Sequence, residues 1–338
     1  MIEENVSLKS HNTFGVEAST RYFAEANTFA DLETILDWYR AQSDVPLLIL
    51  GGGSNLLFTK DWEGLTLKLS LPGKSLTKEW DDAVLVTGGA GEDWHDFVLW
   101  TLQNGWNGLE NLSLIPGSVG ASPMQNIGAY GVETKDVFWL LEAINIKTGT
   151  LETFTAEACN FGYRDSIFKQ SEKGKWIIVS VTFRLKKDGV VKIDYGTIQT
   201  VLSAHGIENP TPMQVSQAVT TIRQAKLPDP KILGSAGSFF KNPVLTKPAL
   251  EALKKILPDV PHYEFNHEKF KVPAGFLIDK AGWKGKNFGA YGVHKEQALV
   301  LVNYGEATGS QIFELAQRIQ SSVKLKYLVG LELEVNII

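Results

Sequence analysis

The chain has 338 residues, 43% hydrophobic and 21% charged, with a formal net charge of -5 at pH 7. That composition excludes disorder, and the length exceeds what a single core usually organises, so two or three packed parts are expected. The acidic balance excludes a general nucleic-acid binder, and no apolar run reaches the ~20 residues of a membrane helix. A single cysteine, Cys159, excludes an internal disulfide or a multi-cysteine zinc site; it suits a reducing cytoplasm and reads as a small filler.

The first residues, MIEENVSLKSHNTFG, lack the basic and apolar regions of a secretory signal, so the Asn111-Leu112-Ser113 sequon is read as coincidental. Thr28 and Asp31 form a capping-box pattern, and Leu32, Ile35, Leu36 and Tyr39 then recur at helical spacing. Val45 to Leu50 reads as a buried strand that ends at Gly51-Gly52-Gly53-Ser54-Asn55. Strand-forming segments at 65–69 and 83–87 open a second sheet, and a helix is predicted from Trp94 to Gln103. The low-charge stretch from Gly108 to Glu133 mixes glycines with aliphatic residues, so it is expected to be ordered around a ligand.

Segments at 141–147, 176–186 and 190–195 are expected to extend the sheet. Thr211-Pro212 opens a helix with Val215, Val219 and Ile222 on one face, and Lys226-Leu227-Pro228-Asp229-Pro230 ends it. A last unit holds helices at Lys247 to Ile256 and around Gln311 to Ser322, then a strand from Leu331 to Ile338. On that strand Glu332 and Glu334 alternate with leucine and share a face, where the plain reading is two solvated carboxylates.

Gly51 to Asn55 places small residues where backbone amides could meet a diphosphate, although Leu56 breaks the G-x-G-x-x-G pattern and an ordinary turn is the alternative. Pro116-Gly117-Ser118-Val119-Gly120-Ala121-Ser122 and Gln125-Asn126-Ile127-Gly128-Ala129-Tyr130-Gly131 supply two further runs of this kind. Three such runs suit a long cofactor with a central diphosphate, such as FAD, better than a mononucleotide. Arg164 sits among aromatic residues, where it could hold a carboxylate; a surface pair with Asp165 is the simpler local reading. Ser238, between Gly237 and Phe239-Phe240, lacks the G-x-S-x-G context of a nucleophile and fits a proton donor better. The six histidines form no recognised metal pattern, so no metal is expected.

Taken in order, the runs at 50–55, 115–120 and 125–131, Tyr163-Arg164-Asp165-Ser166, Lys226 to Pro230, Gly234 to Pro243, Ala274 to Asp279 and Leu331 to Val335 closely resemble the UDP-N-acetylenolpyruvoylglucosamine reductases, across nearly the whole chain. The resemblance implies an α+β protein: a two-subdomain FAD-binding fold of the vanillyl-alcohol oxidase type plus a C-terminal α/β substrate-binding domain. It places a first FAD-binding subdomain at 1–68. A second follows at 69–227, with a substrate-covering insertion near 190–226. The substrate domain occupies 228–338, its last strand free to return to the FAD part.

The same resemblance implies noncovalent FAD held by Gly51, Gly52, Gly53, Ser54, Asn55, Pro116, Gly117, Ser118, Gly120, Ala121, Ser122, Asn126, Ile127, Gly128 and Gly131. Tyr195 and Lys226 match positions at the substrate diphosphate in the type I branch, and Asn242 and Gln297 match further substrate positions. Arg164, Ser238 and Glu334 match the three catalytic positions. The implied cycle has NADPH reduce the flavin, after which hydride passes from N5 to C3 of the enolpyruvyl group and Ser238 protonates C2. The product, UDP-N-acetylmuramate, would enter cytoplasmic peptidoglycan precursor synthesis, and so cell wall biogenesis, cell shape and cell division.

No obligate protein partner is implied. Where the family often has proline between the two glutamates and arginine two residues after the second, this chain has Leu333 and Asn336; Ser235 stands where asparagine is common. Two other readings share the residues: an FAD-dependent oxidase of the same fold acting on an alcohol or hydroxy acid, and a catalytically silent nucleotide-binding protein.

Overall fold

The computed structural model describes residues 1–195 and 197–338. The chain divides into two compact units, the first made of Met1–Val6, Thr20–Gly52 and Glu63–Ala225, the second of Ser7–Ser19, Gly53–Trp62 and Lys226–Ile338. The mixture of helices and mainly antiparallel sheets has the α+β character expected from the sequence.

In the first unit a four-stranded sheet runs in the order Glu3–Ser7, Ser19–Ala26, Trp62–Leu69, Leu47–Leu50. Its last two strands are parallel, with Leu47 opposite Leu65 and Leu50 opposite Lys68. The Phe29–Arg40 helix connects into it and begins on the predicted capping box, Thr28 accepting from the Asp31 amide while Asp31 accepts from Thr28. Leu32, Ile35 and Leu36 bury the apolar face of this helix with Leu65 and Leu67. Full burial of such side chains contributes about 1.5–3 kcal/mol each.

A five-stranded antiparallel sheet follows, ordered Leu151–Thr155, Phe138–Asn145, Trp176–Lys186, Ala83–Gly89, Lys74–Glu79. The register of its central strand skips at Val179, pairing Ser180 with Glu142 and Ile178 with Ala143. A bulge of this kind reverses which side chains face which side. Ile177 and Val179 therefore enter the core shared with the Phe29–Arg40 helix, while Ile178, Val181, Phe183 and Leu185 enter a second core under the Trp94–Gln103 helix. A small third cluster joins the Ile198–Ala204 and Pro212–Lys226 helices through Ile198, Leu202, Val215, Val219 and Ile222, with Tyr130 packed against it.

The second unit is built around the Gly309–Tyr327 helix, opened by a Thr308–Gln311 capping box and closed by Leu328 in the left-handed region. Three small sheets accompany it. Val244–Thr246, Lys269–Lys271 and Tyr263–Asn266 form one, Tyr291–Val293 and Leu301–Asn303 another, and the parallel pair Asn336–Ile337 and Leu56–Leu57 the third. The early segments belong to this core: Phe14 meets Phe239 edge-on at 6.1 Å between ring centroids, and Phe58 is buried.

Three sequence expectations are corrected. The 65–69 segment does not open the second sheet but lies within the first, parallel to Leu47–Leu50, a partner that strand propensity alone does not choose. The 190–195 stretch is not a strand; Val191 and Ile193 pack on the helical cluster, Val190 is fully exposed, and the Lys192 carbonyl accepts from the Asn111 side chain. Its alternating apolar residues serve helix packing, a pattern that periodicity alone does not separate from a ladder. The strand from Leu331 to Ile338 shrinks to Asn336–Ile337 plus a bridge at Leu333, because its backbone changes partners midway: Glu334 bonds to Phe239, whereas Asn336 bonds to Asn55. The Ile198–Ala204 helix had no sequence expectation at all.

Candidate active site

In the first unit the Gly51–Gly52 run and the Pro116–Ser122 loop lie backbone against backbone. A Cβ on Gly51 would fall 2.6 Å from Ser118 Oγ, and one on Gly52 would fall 3.0 Å from Gly117 Cα. A β-carbon at either position would crowd the facing loop, so glycine is what lets the two runs approach this closely. The loop is fixed by Trp94 N donating to Gly117 O, Val119 N to Glu92 O and Gly120 N to Ala90 O. Ser122 is fully buried and its hydroxyl donates to Val119 O, so this side chain serves the loop itself.

The next run is tied to that loop by Ile127 N donating to Ser122 O. Asn126, at φ 46°, is buried and its side chain is engaged within the protein, donating to Glu133 Oε2 and Gly162 O and accepting from Lys135 N. Gly128 gives its carbonyl to Arg164 Nη2 at 2.8 Å. Arg164 itself holds φ 53°, and Asp165 accepts instead from Ser166 N and Gln170 Nε2. Leu114 (φ 58°), Asn126, Tyr130 (φ 49°) and Arg164 thus place four non-glycine residues in the left-handed region, which asparagine tolerates and which costs roughly 1–2 kcal/mol each for the other three. Strain of that size persists where surrounding bonds over-determine it, and it gathers at functional sites.

Arg223, which sequence reasoning passed over, joins this group. Its Nε donates to Leu114 O at 3.2 Å. Burial, and more weakly the charge of Arg164, push its guanidinium down from the usual value, while Tyr130 pulls it back up. An arginine side chain is not deprotonated in proteins, so Arg223 keeps its charge. Burial raises the Tyr130 phenol, and the Arg223 guanidinium beside it pulls it back down. The available signal was the spacing of Arg223 and Lys226, three residues apart at one end of a predicted helix and therefore on one face. Tyr195, half exposed, stands edge-on to Tyr130 at 6.2 Å and covers Gly131. Lys226, the last residue of its helix, is exposed.

In the second unit Ser238 and Glu334 are set by one buried residue. Phe239 donates its amide to Leu299 O at 2.8 Å and accepts Glu334 N at 2.9 Å, and Ser238 bridges to Val300. The Phe239 ring is fully buried between Phe14 and Phe240. Asn55, from the Gly53-Ser54-Asn55 half of the first glycine run, donates its side chain to Glu334 O at 3.3 Å, and Asn336 donates back to Asn55 O at 2.9 Å. Glu332 turns outward instead, pairing with Lys241 at 3.4 Å, so the two glutamates do not share an environment. Asn242 Oδ1 accepts from Ala274 N, and Gln297 Oε1 lies close over Gly275 and accepts from Leu299 N. Ser238, Asn242, Gln297 and Glu334 are therefore gathered on one frame.

Among the described residues no group of three or more His, Cys, Asp or Glu could hold a metal ion, and no helix is long and apolar enough to cross a membrane.

The class of protein is an FAD-binding oxidoreductase: residues 20–155 match the FAD binding domain family. A VAO-type flavoprotein from Myceliophthora thermophila shares the fold at a TM-score of 0.50 and 13% identity, over 95% of this chain and 73% of that one. Residues 229–338 match the family described as UDP-N-acetylenolpyruvoylglucosamine reductase, C-terminal domain. The UDP-N-acetylenolpyruvoylglucosamine reductase of Flavobacterium johnsoniae is 51% identical over 338 residues, spanning 100% of this chain and 99% of the relative. The crystal structure of the same reductase from Thermus caldophilus has a TM-score of 0.70 at 24% identity, covering 100% of this chain and 99% of that chain. The chain belongs to the UDP-N-acetylenolpyruvoylglucosamine reductases.

Proposed function

We propose that the reaction of this family, NADPH-dependent reduction of UDP-N-acetylglucosamine enolpyruvate to UDP-N-acetylmuramate, runs in this chain on Arg164, Ser238 and Glu334, in the cytoplasm. FAD, when bound, carries a hydride from NADPH to C3 of the enolpyruvyl group. Main-chain amides of Gly51, Gly52, Gly53, Ser54, Asn55, Gly117 and Ser118 would hold it, and Pro116, Gly120, Ala121, Ser122, Asn126, Ile127, Gly128 and Gly131 keep those loops in shape.

Negative charge then grows at C2 and spreads into the substrate carboxylate. Arg164 meets that charge with a guanidinium already fixed by Gly128, so little reorganisation is needed as the reaction proceeds. Arg223 adds a second positive charge nearby, and Glu334, in its protonated form, donates a hydrogen bond that completes the clamp on the carboxylate. Ser238 Oγ gives its proton to C2 and recovers it from solvent; a serine is a weak acid, but an enolate carbon is a strong base. Tyr195 and Lys226 bind the diphosphate, and Asn242 and Gln297 the remainder of the sugar nucleotide.

The observation that carries this reading is the clamp on Phe239, which fixes Ser238 and Glu334 through its two backbone groups. The test is anaerobic absorbance spectroscopy of purified protein. NADPH should bleach the flavin band, and UDP-N-acetylglucosamine enolpyruvate should restore it. A flavin that stays reduced until air is admitted would replace this reading with the oxidase.

A further inference from the structure

Three consecutive residues ahead of the Pro116–Ser122 loop are held alternately from two helices. The Leu112 carbonyl accepts from Trp94 Nε1 at 2.9 Å, on the Trp94–Gln103 helix. The Ser113 hydroxyl bonds Ser216 at 2.7 Å, on the Pro212–Lys226 helix. Leu114 is gripped from both: its amide donates to His95 Nδ1 at 3.0 Å, and its carbonyl accepts from Arg223 Nε at 3.2 Å. Leu114 stands at φ 58°, a conformation its side chain disfavours, so without these bonds it would relax toward the right-handed region and turn its carbonyl away from Arg223.

We propose that His95 is a positioning residue for the reductase reaction: through Leu114 it holds the Arg223 guanidinium where the anionic carboxylate of the substrate is received. The proposal rests on the anion-binding role given above to Arg164 and Arg223. The bond to Leu114 requires an unprotonated Nδ1, since an imidazolium has donors on both nitrogens and no acceptor. Protonation would set two donors against each other and place a new positive charge beside Arg223. The charges around the ring are Asp93 and Asp96, which favour the proton, and Arg223 on the facing helix, which opposes it; burial, with Arg223 on its side, outweighs the two carboxylates and holds the imidazole below its usual range. The protein thus keeps His95 neutral at pH 7.

The test measures substrate affinity in the second half-reaction, flavin reoxidation by UDP-N-acetylglucosamine enolpyruvate, from pH 8 to pH 5. The holoenzyme is compared with His95→Asn, His95→Phe and Arg223→Gln. In the unaltered enzyme the apparent KM should climb below the pKa of His95 by up to about tenfold per pH unit, as the competent fraction falls. Asparagine keeps an acceptor on the same carbon and does not titrate, so His95→Asn should lack that acid limb. His95→Phe should bind substrate weakly at every pH, while its reduction by NADPH stays close to that of the unaltered enzyme.

An acid limb that persists in His95→Asn overturns the proposal even if His95→Phe fails to fold. So does a His95→Phe enzyme with the same substrate KM as the unaltered one. If Arg223→Gln itself leaves the KM unchanged, the anion-binding role of Arg223 fails instead, whatever the His95 variants do.

Discussion

Replacing Asn126 with alanine removes three bonds at once and leaves a β-carbon in a left-handed backbone. Two of the bonds, to Gly162 O and from Lys135 N, join neutral groups, and the third reaches the Glu133 carboxylate at 3.0 Å. Neutral bonds contribute about 0.5–1.5 kcal/mol net and one to a charged group about 1.5–3. Alanine lacks the local hydrogen bonding that lets asparagine tolerate φ 46°, at a cost of about 1 kcal/mol. With a discount for water reaching the half-buried Glu133, Asn126→Ala should cost about 3–5 kcal/mol, and Asn126→Gly about 1 kcal/mol less than that. Urea unfolding followed by tryptophan fluorescence measures both. A loss below about 1 kcal/mol for alanine, or no advantage for glycine, would refute the view that this side chain locks the loop.

Other outcomes can be checked on the same protein. Ser238→Ala should leave flavin reduction by NADPH nearly intact and slow reoxidation by the UDP-sugar by about 10²–10⁴-fold, the usual worth of a positioned proton donor; stopped-flow absorbance of the two half-reactions separates these effects. Cys159 is fully buried and its thiol is pushed up to about 12 by burial, so a thiol reagent at pH 8 should label the chain only after denaturation. His95 and His294 are both held below the usual imidazole range, chiefly by burial, and the unfolded chain therefore takes up protons first as pH falls. Their contribution to stability is complete above about pH 6.5 and is lost as pH drops through the lower folded values, so the Tm should fall between pH 7 and pH 5. Asn336→Ala should leave Asn55 O with only the backbone bond from Asn336 N and raise the Kd for FAD, read by fluorescence on titrating apoprotein.

Local signals carried much of the fold. Thr28 and Asp31, the 3.6-residue spacing after them, and Thr211-Pro212 placed helix starts within a residue, because caps and apolar faces depend on neighbours in sequence. The Trp176–Lys186 strand was equally legible, but the bulge at Val179 that splits it between two cores was not, since a bulge is set by the partner strand. Val191 and Ile193 alternate like a strand and pack like a helix cap, which only the helices beneath them decide. At the site, small residues in runs disclosed the loops, and serine between glycine and a phenylalanine pair marked Ser238. Arg223 stayed hidden: a lone arginine on a helix gives no hint of the Leu114 carbonyl, 109 residues earlier, that holds it.

The second unit recruits Ser7–Ser19 and Gly53–Trp62, yet most of it begins at Lys226. On a ribosome adding ~5–20 residues per second, those two early segments leave the exit tunnel and then wait on the order of fifteen to sixty seconds for the chain that completes their core. Until then Phe14, Leu57 and Phe58, all buried in the finished protein, have nothing to pack against. The nascent chain therefore carries sticky N-terminal segments through most of its synthesis. Cutting the gene at the start of the C-terminal family match would yield a fragment stripped of part of its own interior.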